Sequence, residues 1–178
     1  LISDGTFLYG MTYLGGTNND FGFRLSLDST GAVYVTGSTL SGDFPRSPSN
    51  NTNLVSSVST NASNADVFVT KLDSAGTNWS YSVSFGGTGK DEGWDIAVDK
   101  TGRAHIVGAT ASTDFPTNQL FAGLRGTNSG GTDVFVLVLG TNGDVLDYSD
   151  YLGGSGDDLG YAITTDMAGN IYLAGETA

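Results

Sequence analysis

Cysteine is absent from the 178 residues, which excludes disulfides, zinc–thiolate centres and thiol chemistry while leaving the compartment open to export. Proline occurs only 3 times, and the 27 glycines follow no three-residue period, so the chain is not collagen-like. Basic residues are scarce, 7 against 19 acidic ones, for a formal net charge of −12. A field of that sign repels phosphate backbones and argues against a nucleic-acid partner; it describes a soluble acidic surface that also attracts cations. No window approaches about 18 consecutive apolar residues, so no segment is long enough to span a bilayer as a helix. The sequence opens on Leu1-Ile2-Ser3-Asp4-Gly5, with neither an initiator methionine nor a basic n-region, and is expected to be a fragment or a mature piece.

A hydrophobic content of 38% is too high for a disordered chain. Gly, Asn, Ser, Thr and Asp fall between short runs rich in Val, Ile, Tyr and Phe, the pattern of an all-β protein with many tight turns. An internal repeat organises these runs. Gly15-Gly16, Gly86-Gly87 and Gly153-Gly154 are spaced by 71 and then 67 residues. The same offsets relate Asp28, Asp99 and Asp166, and again Gly37, Gly108 and Gly175. Asp43-Phe44-Pro45 returns as Asp114-Phe115-Pro116, and Asp66-Val67-Phe68-Val69 as Asp133-Val134-Phe135-Val136. Register kept at so many points identifies a repeat protein.

Each unit holds four strand-like runs, in the second unit Trp94–Asp99, Ala104–Ala109, Asp133–Leu139 and Val145–Leu152. Asp99-Lys100-Thr101-Gly102 joins the first two, with counterparts at Asp28–Gly31 and Asp166–Gly169; Asp bonds to the turn backbone and Gly supplies positive φ. Asp73–Gly76 and Asn142-Gly143 do the same between the third and fourth runs. Runs such as Val134 to Leu139 are apolar at consecutive positions, as strands are when both sheet faces are covered. Four antiparallel strands with sheets on both sides make a propeller blade, whereas a parallel solenoid would not need hairpin turns at fixed places. Long excursions, Thr39–Ala65 and Thr110–Thr132, separate the second and third runs; Asp-Phe-Pro is expected to pin each loop base, with Phe44 and Phe115 buried.

Tyr151-Leu-Gly-Gly-Ser-Gly-Asp-Asp158-Leu-Gly160 followed by Asp166-Met-Ala-Gly-Asn-Ile-Tyr-Leu-Ala-Gly175 resembles the bacterial SBBP repeat, the seven-bladed β-propeller repeat. Asp43-Phe-Pro45, Asp114-Phe-Pro-Thr117 and Asp66-Val-Phe-Val-Thr-Lys-Leu-Asp73 fit the same pattern, and the resemblance extends over essentially the whole chain. It implies blades of a propeller in large secreted or surface-attached proteins, and no defined activity. Two departures stand out: Asn18-Asn19 replaces the Gly-x step of one turn, and His105 stands where Tyr34 and Tyr172 stand elsewhere.

The expected division is 1–20 as the last strand of a preceding blade (about Thr6–Leu14), 21–87 and 88–154 as full blades, and 155–178 as the first half of another. Four blades is the usual minimum for a ring, so completion is expected from further blades of a parent protein or from other copies of this chain.

The candidate ligand site is the glycine–acid turn: Gly86-Gly-Thr-Gly-Lys-Asp91, Gly153-Gly-Ser-Gly-Asp157-Asp158 and the weaker Gly15-Gly-Thr-Asn-Asn-Asp20. These echo a calcium-binding nonapeptide, with Asp157 and Asp158 the leading candidates, but calcium needs six to eight oxygens and neighbouring copies lie 67 or 71 residues away. The alternative is a turn whose Asp bonds to backbone amides. No catalytic constellation stands out. The single histidine, His105, occupies a repeat position filled by Tyr; the acid pairs Asp91-Glu92 and Asp157-Asp158 recur with the repeat; nothing is placed to activate a Ser or Thr. Trp79 and Trp94 are assigned to packing, with sugar stacking as the alternative, and Asn50, Asn61 and Asn78 head sequons. The expectation is a non-catalytic structural or adhesive module of an extracellular or cell-surface protein, without a certain cofactor. A glycan- or calcium-binding propeller and a self-assembling fibre subunit are the alternatives.

Overall fold

The computed structural model describes residues 11–46, 64–118 and 127–178. These fold as all-β, and no helix among them is long and apolar enough to cross a membrane. Strands β1 (Asp20–Leu27), β2 (Val33–Thr39), β3 (Asp66–Leu72) and β4 (Trp79–Phe85) form one antiparallel sheet in chain order. Strands β5 (Asp91–Val98), β6 (Ala104–Thr110), β7 (Asp133–Leu139) and β8 (Leu146–Leu152) form the second. Strands β9 (Leu159–Thr165) and β10 (Ile171–Glu176) pair as a third. Of the expected strand at Thr6–Leu14, residues 6–10 lie outside the described residues, and Met11–Leu14 form no strand.

Strand β5 starts three residues before the expected Trp94. The ladder runs Asp91↔Thr110, Glu92↔Ala109, Gly93↔Gly108, then skips Trp94 to Asp95↔Val107. This bulge bends the strand and recurs between Gly22 and Arg24 on β1. The tight bend brings backbone against backbone at Gly108, where an added Cβ would overlap the carbonyl oxygen of Glu92. Gly37 and Gly175 meet Phe21 and Leu159 in the same way, which accounts for the third glycine column of the repeat.

Sheets stack face to face: β5 packs on β1, β2 and β3, and β9 packs on β5, β6 and β7. Every residue of β6 and β7 is therefore buried, the covered-on-both-faces state that the unbroken apolar run from Val134 to Leu139 on β7 anticipates. Between the first two sheets, Tyr34, Val67, Val69 and Tyr81 share a core with Ile106, Phe135, Leu137 and Leu139, each contributing about 1.5–3 kcal/mol by burial. A smaller cluster joins Val107, Val134 and Val136 to Ile163 of the third sheet. Arg24 reaches Asp95 at 3.7 Å across the first junction, and the Ile163 amide donates to the other oxygen of Asp95 at 2.9 Å across the second. This is the stacking of propeller blades, with the ring not closed by these sheets.

Both Asp-Phe-Pro segments sit as expected. Phe44 packs on Phe68 and Phe115 on Phe135, with ring centroids 4.6 and 4.7 Å apart. Hydroxyls of the fourth strands, Ser82 and Ser149, donate to the carbonyls of Pro45 and Pro116 at 2.7 and 2.6 Å. Residues 47–63 and 119–126 of the two long loops, with sequons Asn50 and Asn61, lie outside the described residues. Asn78 is described; its side-chain amide donates to Asp73 at 2.7 Å in the β3–β4 turn.

Candidate functional site

The glycine–acid turns are the connections between sheets, and each aspartate is enclosed by donors. Asp91 is fully buried; it accepts the Gly87 amide at 2.9 Å and the Ser112 hydroxyl at 2.8 Å, while its other oxygen accepts the Thr110 hydroxyl. Asp114 closes the next link, accepting the Thr88 amide at 2.8 Å and its hydroxyl at 3.0 Å. The first copy repeats the arrangement: Asp20 accepts from Gly16, Thr39 and Ser41, and Asp43 from Thr17. The expected irregularity at Asn18 does not change the turn, because its amide bonds Ser41 Oγ as that of Gly89 bonds Ser112 Oγ. In the third copy Asp158 accepts the Gly154 amide at 2.6 Å, and exposed Asp157 accepts the Thr132 amide at 2.9 Å.

Of the four metal candidates, then, Asp91 and Asp20 are wrapped in hydroxyl and amide donors, and Asp157 and Asp158 each hold a backbone amide. Among the described residues no group of three or more His, Asp and Glu side chains lies close enough to share a cation. Calcium would have to displace protein donors from Asp91 to gain one of its six to eight oxygens. The geometry builds a turn clamp from a carboxylate and two hydroxyls.

A second set of carboxylates organises the first hairpin of each unit. Asp28 accepts the Thr30 hydroxyl at 2.6 Å and amide at 2.8 Å, and Gly31 takes φ +83° so that the Ala32 amide reaches the same oxygen at 3.1 Å. Asp99 and Asp166 repeat this with Gly102 at φ +85° and Gly169 at φ +89°. The Thr30 hydroxyl and turn amides hold Asp28 at about 2, and Asn170 holds Asp166 at about 2, against the usual 3.8. For Asp99, burial works against ionisation but is outweighed by Thr101, His105 and Arg103, which keep it well below the usual carboxylate range. Asp91 runs the other way: burial outweighs its donors and pushes it up to about 6.

These shifts give opposite pH windows. A depressed value contributes stability that is present above 3.8 and lost as pH falls through about 2 at Asp28 and Asp166. The raised value at Asp91 contributes stability present below 3.8 and lost as pH rises through about 6. Thermal melts should therefore show Asp28→Asn flattening the loss of stability between pH 4 and pH 2, and Asp91→Asn flattening the one between pH 4 and pH 6. Identical slopes in variant and parent would contradict the assignments.

The histidine that departs from the repeat performs the tyrosine's task. Tyr34 donates to Asp28 at 3.2 Å and Tyr172 to Asp166 at 3.0 Å; His105 Nε2 lies 3.1 Å from Asp99. Since Asp99 is ionised, Nε2 carries the proton and donates. The Gly102 carbonyl of the next unit lies 3.0 Å from the same Tyr34 hydroxyl, whose one proton is shared between the two acceptors. The shorter imidazole makes no such bond to Gly169. Trp94 packs as expected, stacked on Tyr161 at 5.3 Å, whereas Trp79 is 42% exposed and belongs to no core cluster.

Three residues missed by motif reading, Arg103, Asp147 and Asp150, gather beside His105. Arg103, His105, Asp147 and Asp150 border a groove of about 490 Å³ between the second sheet and β10. At the matching positions the first unit has Ala32, Tyr34, Ser80 and Val83. The signal was available in the sequence as departures within repeat columns, though spread over 48 residues and legible only once strand order places them on one face.

The SBBP family model, described as a beta-propeller repeat, matches residues 10–45 and 147–178. No curated protein matches the chain. The matched stretches, which hold the outer copies of the turn and hairpin motifs, are similar to SBBP β-propeller repeats, and the second sheet between them carries the same networks at Asp91, Asp99 and Asp114.

Proposed function

We propose that this chain is a non-catalytic structural module of an extracellular or cell-surface protein, a rigid stack of blades that positions or joins other parts. The observation that carries this reading is the internal use of its repeated polar motifs. Asp20 and Asp91 are enclosed by the same donors in two successive units, and a group repeated at every unit serves the scaffold rather than one reaction centre. The net charge of −12 favours solubility and discourages association with nucleic acid, in keeping with a role outside the cell.

The purified chain is expected to leave glycan and peptide panels uncleaved, and protease treatment of intact cells is expected to remove it. Turnover abolished by a single substitution would overturn the first part, and full protection in intact cells the second. Calcium and chelator should leave the melting temperature in place. A calcium-dependent rise that is lost in Asp91→Asn would replace the structural reading with a calcium-bearing one.

Self-association is a second reading, favoured by the exposed apolar side chains of β1, where Phe21, Phe23, Leu25 and Leu27 are 40–65% accessible. Sedimentation at rising concentration tests it, a monomer throughout being the contrary outcome.

A further inference from the structure

The repeat dictates what each face of a sheet meets in its neighbour. In the first sheet, the face bearing Tyr34, Val67, Val69, Tyr81 and Val83 is covered by the second sheet, whose third strand adds Phe135, Leu137 and Leu139 to the common core. The matching face of the second sheet bears His105, Val134, Val136, Tyr148 and Asp150. Strand β9 lies against it, and among the described residues β10 is hydrogen-bonded to β9 alone. Beside that open edge runs the 490 Å³ groove, walled by β6, β7 and β8 and by Gly169, Ile171 and Leu173. A strand paired to β10 would lie there as β7 lies beside β6.

The groove is not a copy of the apolar face it parallels. Asp150 stands where the first unit has Val83 and is 2% exposed; one carboxylate oxygen accepts the Tyr151 amide at 2.8 Å, and Oδ2 has no hydrogen-bond partner among the described residues. His105 is 1% exposed, and its Nδ1 likewise has no hydrogen-bond partner among the described residues. The groove's own basic side chain, Arg103, is held by Asp99 at 2.8 Å. A buried carboxylate facing an apolar strand would be strongly unfavourable, while one facing a cationic donor is satisfied.

We propose that the groove receives an extended polypeptide strand, added to the open edge of β10, that presents a lysine or arginine side chain to Asp150. Main-chain pairing supplies the docking and the carboxylate supplies the choice of partner. The net charge of −12 favours a basic partner over an acidic one at encounter. The inference does not depend on whether the module is catalytic.

Isothermal titration of the intact chain with nine-residue peptides tests it. The parent peptide has the sequence of residues 132–140, and three others carry lysine at the position of Phe135, Leu137 or Leu139. One lysine peptide is expected to bind at least about tenfold more tightly than the parent, and to lose that advantage against Asp150→Val. Methylating the amides that would face β10 should abolish its binding. Asp150→Asn serves as a second variant if the valine form does not fold. Equal binding of parent and lysine peptides, binding of none, or a preference that survives both variants would each overturn the proposal. So would binding of agmatine alone as tight as that of the best peptide, which would assign the groove to a small amine.

Discussion

Replacing Phe115 by alanine is expected to cost about 3–5 kcal/mol, measured as the change in unfolding free energy in urea. The ring is 3% exposed, stacks on Phe135 at 4.7 Å and meets Tyr151 edge-on at 6.4 Å. Truncation leaves a cavity between β6, β7 and β8 that fixed backbone cannot close. The backbone of Phe115 is also pinned: its amide donates to the Tyr151 hydroxyl at 2.8 Å, and that hydroxyl donates to the Ser112 carbonyl at 2.9 Å. The same residue thus anchors the loop base next to the Asp91 clamp, which Ser112 also serves. Met167→Ala is the control, since that side chain is 80% exposed; its change should stay within about 0.5 kcal/mol.

Gly108→Ala is expected to be more damaging than the methyl group's size suggests. Its Cβ would overlap the Glu92 carbonyl oxygen and press on the Phe135 ring at 2.8 Å. A side chain moves aside more readily than paired backbone, so relief requires opening the β5–β6 ladder next to its bulge. The cost should exceed the roughly 1–3 kcal/mol of ordinary overpacking, with circular dichroism showing loss of the folded state at ambient temperature. Gly42→Ala provides the contrast: nothing lies within 4 Å of its added Cβ, and its φ is not positive. That variant should fold like the parent.

Gly108 also illustrates how far sequence reasoning carries. The column Gly37, Gly108, Gly175 is plain in the repeat, and so are the Asp–Gly hairpins, because a tight turn is decided by residues two to four apart. The reason for the column is not visible there, since the clashing carbonyl belongs to the preceding strand and its position depends on a bulge. That bulge is also why β5 begins at Asp91 rather than Trp94. Asp91 was legible as a special residue but not in its role. Its donors Thr110 and Ser112 are 19 and 21 residues away and come within reach only when β5 and β6 pair. Trp79 misled for the opposite reason: a large apolar residue on a strand is usually buried, but this one begins β4, opposite Leu72 across an irregular step of the ladder. Asp150 was invisible as a candidate because nothing beside it in sequence marks it; it becomes unusual only next to Val83.

Arg24, Asp95 and Ala162 occupy one column of the repeat, yet the contacts through them differ at each junction. Arg24 offers a cation to Asp95, and Asp95 in turn accepts an amide from β9. The exposed ion pair contributes little to stability. Its weight falls instead on how such a protein can grow by gene duplication. Inserting a second copy of the middle unit after the first would set one Asp95 beside the other, while the copied Ile96 amide would take the place that Ile163 holds now. The backbone contact is transferable from unit to unit, and the charge at the junction is what a new blade would be free to change.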